Sequence, residues 1–185
     1  MAPSQILVDV LSETVLEDQR ARSGPSHAEE AALHNGTTGC CCRGILRPGV
    51  ARIIQETFMT SRFRVYLNND IIGVEIGGAV KNIMAIAAGI VDGAGLGDNA
   101  KAALMTRGLH EMKRMGAVLG ASMETFSGLT GMGDTTGEPA SQHSRNRFVG
   151  YNIGQGKSLK EITSGMNMVA EGVKTAESVC QWAKE

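Results

Sequence analysis

The sequence predicts a mostly α-helical domain from about residue 71, preceded by a short α/β remnant over residues 1–70. Three observations predict it. Val74, Ile76, Val80, Ile83, Met84, Ala87, Ile90 and Val91 recur at helical spacing, and Gly93 and Gly95 end the run. A second helical stretch follows over residues 99–119, with Asp98 placed to cap it and Gly120 to stop it. Before residue 70 the pattern is broken and no comparable period appears.

Composition sets the limits. A chain of 185 residues holds one substantial domain, or one domain and a piece of another. Aromatic residues are only 4%, while Gly (24) and Met (10) are plentiful, so the core must combine small and flexible side chains with closely approaching helices. A formal net charge of −1 gives no general attraction for nucleic acid or an anionic membrane surface. Lys81 and Asp92 interrupt the longest apolar run, so no membrane span is expected. Residues 1–13 lack the basic start and apolar stretch of a secretory signal, and a cytoplasmic location is expected. Cys40, Cys41 and Cys42 are sequence neighbours and cannot easily close a tetrahedral site together, so no metal is expected.

In order along the chain, residues 6–16 suit an amphipathic helix, and Ser26 is placed to cap a second from His27. Residues 36–49 carry several breakers and no period, which reads as a loop or a damaged element. Residues 50–58 return to a helical pattern and residues 63–67 alternate like a short strand. Gly77 and Gly78 weaken the helix they sit in, so a second backbone or a ligand must come close there. Ser122 can cap a short helix leading into Gly128-Leu-Thr-Gly-Met-Gly-Asp134, and Ser144 another towards Ile153. Ser158-Leu-Lys-Glu161 has the form of a capping box, and a last helix is expected over residues 173–184.

Four groups carry candidate chemistry. Lys81 lies on an otherwise apolar helix, where it either snorkels to water or sits in a partly dry site that makes its amine a general acid/base. Ser144-Arg-Asn-Arg147 joins a capping hydroxyl, exposed backbone N–H groups and an arginine fork, which suits a phosphate as well as a capped surface helix. Asp134 follows a glycine-rich stretch and either holds a polyol hydroxyl or ammonium, or caps the next turn. Asp92, Asp98, Lys101 and Arg107 read most simply as caps and a solvated helix face. Gly24-Pro-Ser-His-Ala28 suits a strand-to-helix turn, although the polar Gln19-Arg-Ala-Arg22 offers no apolar strand before it.

Together these segments resemble one family. Gly73-Val-Glu-Ile-Gly-Gly-Ala-Val-Lys-Asn82, Asp92-Gly-Ala-Gly-Leu-Gly-Asp-Asn-Ala-Lys101 and Ser144-Arg-Asn-Arg147 are similar to signature segments of NAD(P)-dependent glycerol-3-phosphate dehydrogenase. Gly24-Pro-Ser26 with Ala28-Glu29, and Val169-Ala-Glu-Gly172, match two more in the same order. The resemblance implies a Rossmann domain, truncated here to residues 1–70, joined to an all-helical domain over residues 71–185 of the 6-phosphogluconate dehydrogenase C-terminal type. It implies reversible hydride transfer between C2 of glycerol 3-phosphate and NAD or NADP, in glycerol phosphate, carbohydrate and phospholipid-precursor metabolism.

By the same resemblance Lys81 is the catalytic acid/base, with Asn82 beside the reacting centre and Asp134 holding a substrate hydroxyl and the lysine. Ser144, Arg145 and Asn146 meet substrate and cofactor, with Arg145 the main cationic contact. Gly24 and Ser26 touch substrate, while Ala28, Val169 and Glu171 border the cofactor.

The sequence also departs from the family. It holds no Gly-x-Gly-x-x-Gly turn, nor the lysine expected between that turn and Gly24-Pro-Ser26. Thr135-Thr-Gly-Glu-Pro-Ala140 replaces an apolar segment ending in threonines and puts Glu138 where a substrate-facing threonine belongs, so its carboxylate repels phosphate. Lost register within residues 36–49 and 135–140, between stretches in register, is the pattern that a reading-frame fault leaves. A poorly active fragment is therefore expected. Two other readings stand beside it: a related β-hydroxyacid dehydrogenase, and an inactive helical interaction module whose exposed apolar face favours self-association, most simply a homodimer.

Overall fold

The computed structural model describes residues 20–26, 38–44, 48–140, 144–166 and 169–184. The helix expected over residues 6–16 and the one expected from His27 lie outside these, as does Ala28. The described elements, in order, are strands β1 (Arg20–Ser23) and β2 (Thr38–Gly44), helix α1 (Pro48–Phe58) and strand β3 (Phe63–Leu67). Helices α2 (Ile71–Gly93), α3 (Asp98–Val118), α4 (Asp134–Ala140), α5 (Arg145–Gly154), α6 (Leu159–Ser164) and α7 (Glu171–Trp182) follow. Between α3 and α4 lie a 3₁₀ turn, Met123–Ser127, and a π turn, Leu129–Gly133. The molecule is mostly helical, as the period from residue 74 onward requires.

The early segment is more regular than its sequence suggests. Residues 36–49, read as a loop or damaged element, contain β2, the central strand of a three-stranded sheet of order β1-β2-β3. β2 pairs antiparallel with β1, from Arg20↔Gly44 to Ser23↔Cys41, and parallel with β3, from Thr38↔Phe63 to Cys42↔Leu67. β1 likewise forms on Arg20–Ser23 despite its polar side chains. Backbone pairing decides both strands, and Thr38-Gly-Cys-Cys-Cys-Arg-Gly44 has no alternation by which a side-chain pattern reveals it. Pro48 opens α1 as its first helical residue, where its missing N–H costs nothing. Val65 of β3 is buried with Ile54, Met59 and Phe63 around it.

The described chain forms two compact units: residues 1–78 with 113–134, and residues 79–112 with 135–185. In the first, buried Ile71 and Val74 pack with Ile72 and Leu129. Asp70 Oδ1 accepts from Gly73 N, and its Oδ2 accepts from Ser122 N and Thr125 Oγ1, which ties the start of α2 to the 3₁₀ turn. A Cβ at Gly77 would lie 2.9 Å from the Thr130 carbonyl oxygen, so the predicted close approach of a second backbone is real. Phe126, fully buried, lies so close to Gly116 that a Cβ there would strike Cε2 and Cζ of its ring.

In the second unit α2 and α5 cross through a seam of glycines, Gly89 and Gly93 on one helix and Gly150 and Gly154 on the other. A Cβ built at Gly89 would stand 2.8 Å from Tyr151 N, one at Gly93 3.1 Å from Gly154 Cα, and one at Gly154 2.8 Å from Ala94 N. A Cβ at Gly150 would run into the Ile86 carbonyl. Only hydrogens fit there, so the two backbones touch more closely than side-chain-mediated helix packing allows. Val149, Ile162 and Ala170 form the neighbouring core with Ile153, Met166 and Val173. Methionine fills where glycine opens space: a Cβ at Gly108 would strike Met84 Cε and Sδ.

Two of the caps expected from sequence are formed, those at Ser144 and Ser158. Ser144 Oγ accepts from Arg147 N at 3.2 Å, and Ser158 and Glu161 complete a reciprocal capping box. The Ser158 hydroxyl and backbone N–H both donate to Glu161, which holds that carboxyl below its ordinary range. Ser122 precedes its 3₁₀ turn without a side-chain cap, and Gly120 stops α3 at φ +88°. Helix α2 is long and apolar enough to cross a membrane by length and composition, yet half of its most apolar window is buried by the rest of the chain, as in a core helix.

Candidate active site

The glycine seam brings α5 close against α2, and hydrogen bonds set where its polar residues fall. Asn146 Nδ2 donates to Asn82 Oδ1 at 3.1 Å, and Asn146 Oδ1 accepts from Gly172 N at 2.9 Å. One buried asparagine therefore joins the middle of α2 to the first turn of α7. Its amide has a donor and an acceptor end, and each finds a partner, which removes the cost of burying it. Gly172 is required for this approach, because a Cβ there would lie 2.7 Å from the Asn82 carbonyl and 2.9 Å from Asn146 Oδ1.

Docking α7 in this way brings Glu171 to Arg145, with Oε1 3.1 Å from Nη2. Both side chains stay partly exposed, so the pair is weakly held and open to exchange with an incoming anion. Lys81, half-buried, precedes Asn82 on α2, and Ser144 is buried at the head of α5. The second unit thus brings together Asn82, Arg145, Asn146 and Glu171, with Ser144 capping the same helix. Val169 stands 63% exposed just before α7, free to cover an apolar ligand surface.

The first unit carries the other predicted residues. Asp134 is buried, opens α4, and its Oδ2 accepts from Ser23 Oγ at 2.6 Å. Gly24, also buried, adopts φ +143°, which a residue with a Cβ rarely takes, and turns the chain out of β1. Ser26 Oγ donates back to the Gly24 carbonyl at 3.1 Å. Asp134 and the Gly24-Pro-Ser26 turn therefore meet through Ser23, a residue the sequence reading passed over. No local signal marks it, since it is one more small polar residue in a polar strand. The side chain of Glu138 lies outside the described residues. Among the described residues no group of His, Cys, Asp and Glu could hold a metal ion.

Asp92 and Lys101 are not the solvated face that their sequence suggested. Lys101 Nζ donates to Asp92 Oδ2 at 2.9 Å and Oδ1 at 3.1 Å, while Arg147 Nη2 and Nε donate to Oδ2 at 2.9 and 3.2 Å. The carboxylate joins the end of α2 to α3 and α5, a contact between distant elements that helical spacing cannot show. Burial by itself would raise the Asp92 carboxyl, but hydrogen bonds from Lys101 and Arg147, with their charges, hold it below the ordinary range. Arg107 is exposed, as the simple reading has it.

A depressed carboxyl stabilises the fold at pH values above its unfolded pKa, and that contribution is lost as pH falls through the lower folded value. Asp92→Asn removes the contribution at every pH. Denaturant midpoints should therefore separate wild type and Asp92→Asn at pH 7, and the gap should narrow as pH falls below the ordinary value of 3.8. A gap independent of pH between 7 and 3 would show that the carboxylate is not what stabilises this junction.

Comparison with known proteins places these features. The sequence profile of the NAD-dependent glycerol-3-phosphate dehydrogenase C-terminus matches residues 70–185. The chain belongs to that family. Glycerol-3-phosphate dehydrogenase [NAD(P)+] 1 of Salinibacter ruber is 52% identical over 181 residues, which is 98% of this chain and 52% of that protein. Glycerol-3-phosphate dehydrogenase [NAD(P)+] of Bacillus mycoides is 50% identical over 182 residues, covering 98% and 53%. This dehydrogenase-family chain spans about half the length of the curated relatives it matches. The crystal structure of glycerol-3-phosphate dehydrogenase from Coxiella burnetii superposes with a TM-score of 0.84 at 42% identity, covering 89% of this chain and 50% of that one. That of the Plasmodium falciparum enzyme gives a TM-score of 0.86 at 25% identity, covering 99% and 51%.

Proposed function

We propose that this chain is the substrate-binding and catalytic part of an NAD(P)-dependent glycerol-3-phosphate dehydrogenase, interconverting sn-glycerol 3-phosphate and dihydroxyacetone phosphate. The observation that carries the reading is the meeting of Asn82, Arg145, Asn146 and Glu171 in a chain of this family, although they come from three separate helices. On this reading residues 1–70 belong to the dinucleotide-binding domain and residues 71–185 form the helical substrate domain. A small phosphorylated substrate, a cytoplasmic location and a homodimer complete the proposal.

In the oxidative direction Lys81 Nζ accepts the proton of the C2 hydroxyl; in the reductive direction it returns that proton to the nascent alkoxide. Asn82 stands beside C2, and the family resemblance assigns Asp134 to a substrate hydroxyl. Arg145, Asn146 and the Ser144-capped start of α5 take the anionic groups, and the family resemblance assigns Gly24 and Ser26 to the substrate as well. The residues present suit one end of a dinucleotide: an arginine for phosphate, a carboxylate at Glu171 for a ribose hydroxyl, and exposed Val169 for an apolar face, with Ala28 assigned to the same border. The nicotinamide, when bound, supplies the hydride exchanged with C2.

The test is NADH oxidation with dihydroxyacetone phosphate, followed spectrophotometrically. The 185-residue chain assayed alone should run near background, since it holds no Gly-x-Gly-x-x-Gly turn and carries Glu138 where the resemblance expects a substrate-facing threonine. Losing two or three charge-assisted contacts weakens cofactor binding by several kcal/mol. The same residues joined to a complete dinucleotide domain, with an apolar, threonine-ended 135–140 segment, should turn over. A completed protein that binds both ligands and stays inactive would defeat the reading. Robust activity in the chain alone would show that the missing turn and Glu138 do not limit it.

A further inference from the structure

We propose that Asp92, which no substrate role claims, is a positioning residue that sets the anion-binding start of α5. The inference rests on the reading above only in taking Arg145 and Asn146 as ligand contacts. Three contacts fix Arg147, the residue that follows them. Its backbone N–H donates to Ser144 Oγ at 3.2 Å, its carbonyl lies against Gly89 on α2, and its guanidinium gives two N–H donors to Asp92 Oδ2. Glycine packing alone permits α5 to roll, because a surface without side chains offers no ridges to lock into. The two-donor fork on Asp92 stops that roll, and Lys101 from α3 holds the carboxylate itself in place through both oxygens.

Rotation matters at this point because successive helical residues are 100° apart. Arg145 faces Glu171 while Asn146 faces Asn82 and Gly172, so a small roll of the first turn displaces both at once. With Asn at position 92 the amide no longer balances two cations. Lys101 and Arg147 then repel, and the fork loses its anion. Asp92 therefore acts through α5, without touching the ligand.

The experiment uses the 185-residue chain and glycerol 3-phosphate, titrated by calorimetry into wild type, Asp92→Asn, Arg145→Ala and the double variant. Asp92→Asn should weaken binding by about tenfold, the size of a lost charge-assisted hydrogen bond. The double variant should lose less than the sum of the two single losses, because part of the effect of Asp92 passes through Arg145. Full additivity, or wild-type affinity in Asp92→Asn, would overturn the proposal. Amide exchange supplies a readout that needs no ligand: protection in Asp92→Asn should fall in the first turn of α5 and persist in α3. If wild type binds nothing but that local loss appears, this chain makes no substrate contact and the positioning role stands. Unchanged protection sinks the positioning role itself. Should Asp92→Asn not fold, Arg147→Lys keeps the charge without the fork, and wild-type protection in it would overturn the proposal equally.

Discussion

Lys81→Ala, in the protein completed with a dinucleotide domain, should lower kcat by about 10²- to 10⁴-fold while KM for dihydroxyacetone phosphate changes little. That range corresponds to about 3–5 kcal/mol of transition-state stabilisation, typical of a positioned acid/base. Lys81 lies on an apolar helix one residue before Asn82, and Asn82 is pinned by Asn146, which is pinned in turn by Gly172. An amine held on so well-anchored a turn meets the geometric demand of proton transfer, which tolerates little misplacement. Lys81→Arg should not restore the rate, since a guanidinium does not release its proton at neutral pH. Added primary amines should restore part of it in the alanine variant. A normal kcat in Lys81→Ala would remove the lysine from the mechanism, whereas a large rise in KM alone would make it a binding residue.

The second large effect is on the fold. Gly150→Ala should destabilise by about 3 kcal/mol or more, at the upper end of what overpacking costs, and Gly150→Leu should prevent folding of the second unit. The reason is that the added Cβ meets the backbone of Ile86, with its Cα at 3.0 Å, and not a side chain that can rotate away. α2 and α5 would have to separate, which breaks the Asn82–Asn146 bond and pulls Arg147 from Asp92. Gly49→Ala is the matched control. It lies exposed in α1 with nothing within 4 Å, so the change should be neutral or stabilising by up to about 1 kcal/mol. Urea midpoints compare the two. Wild-type stability in Gly150→Ala would mean that the helices are not in backbone contact.

The sequence by itself determined the long helices and most of their ends. Apolar spacing over residues 74–91 and the caps at Ser144 and Ser158 act within a few residues of where they are written, so they can be read locally. Family-like segments also named Asn82, Arg145, Asn146 and Glu171 before any geometry showed them together. Only the tertiary structure decided the rest. β2 exists because strands on either side pair with its backbone, and backbone pairing leaves no mark on Cys-Cys-Cys. Ser23 gains its meaning from Asp134, 111 residues away, and Asp92 from Arg147, 55 residues away. A glycine reads in sequence as a loss of helix stability, and at Gly89 and Gly150 it is the condition for two backbones to touch. Local propensity reports the cost of such residues, while the contact that compensates for it belongs to another part of the chain.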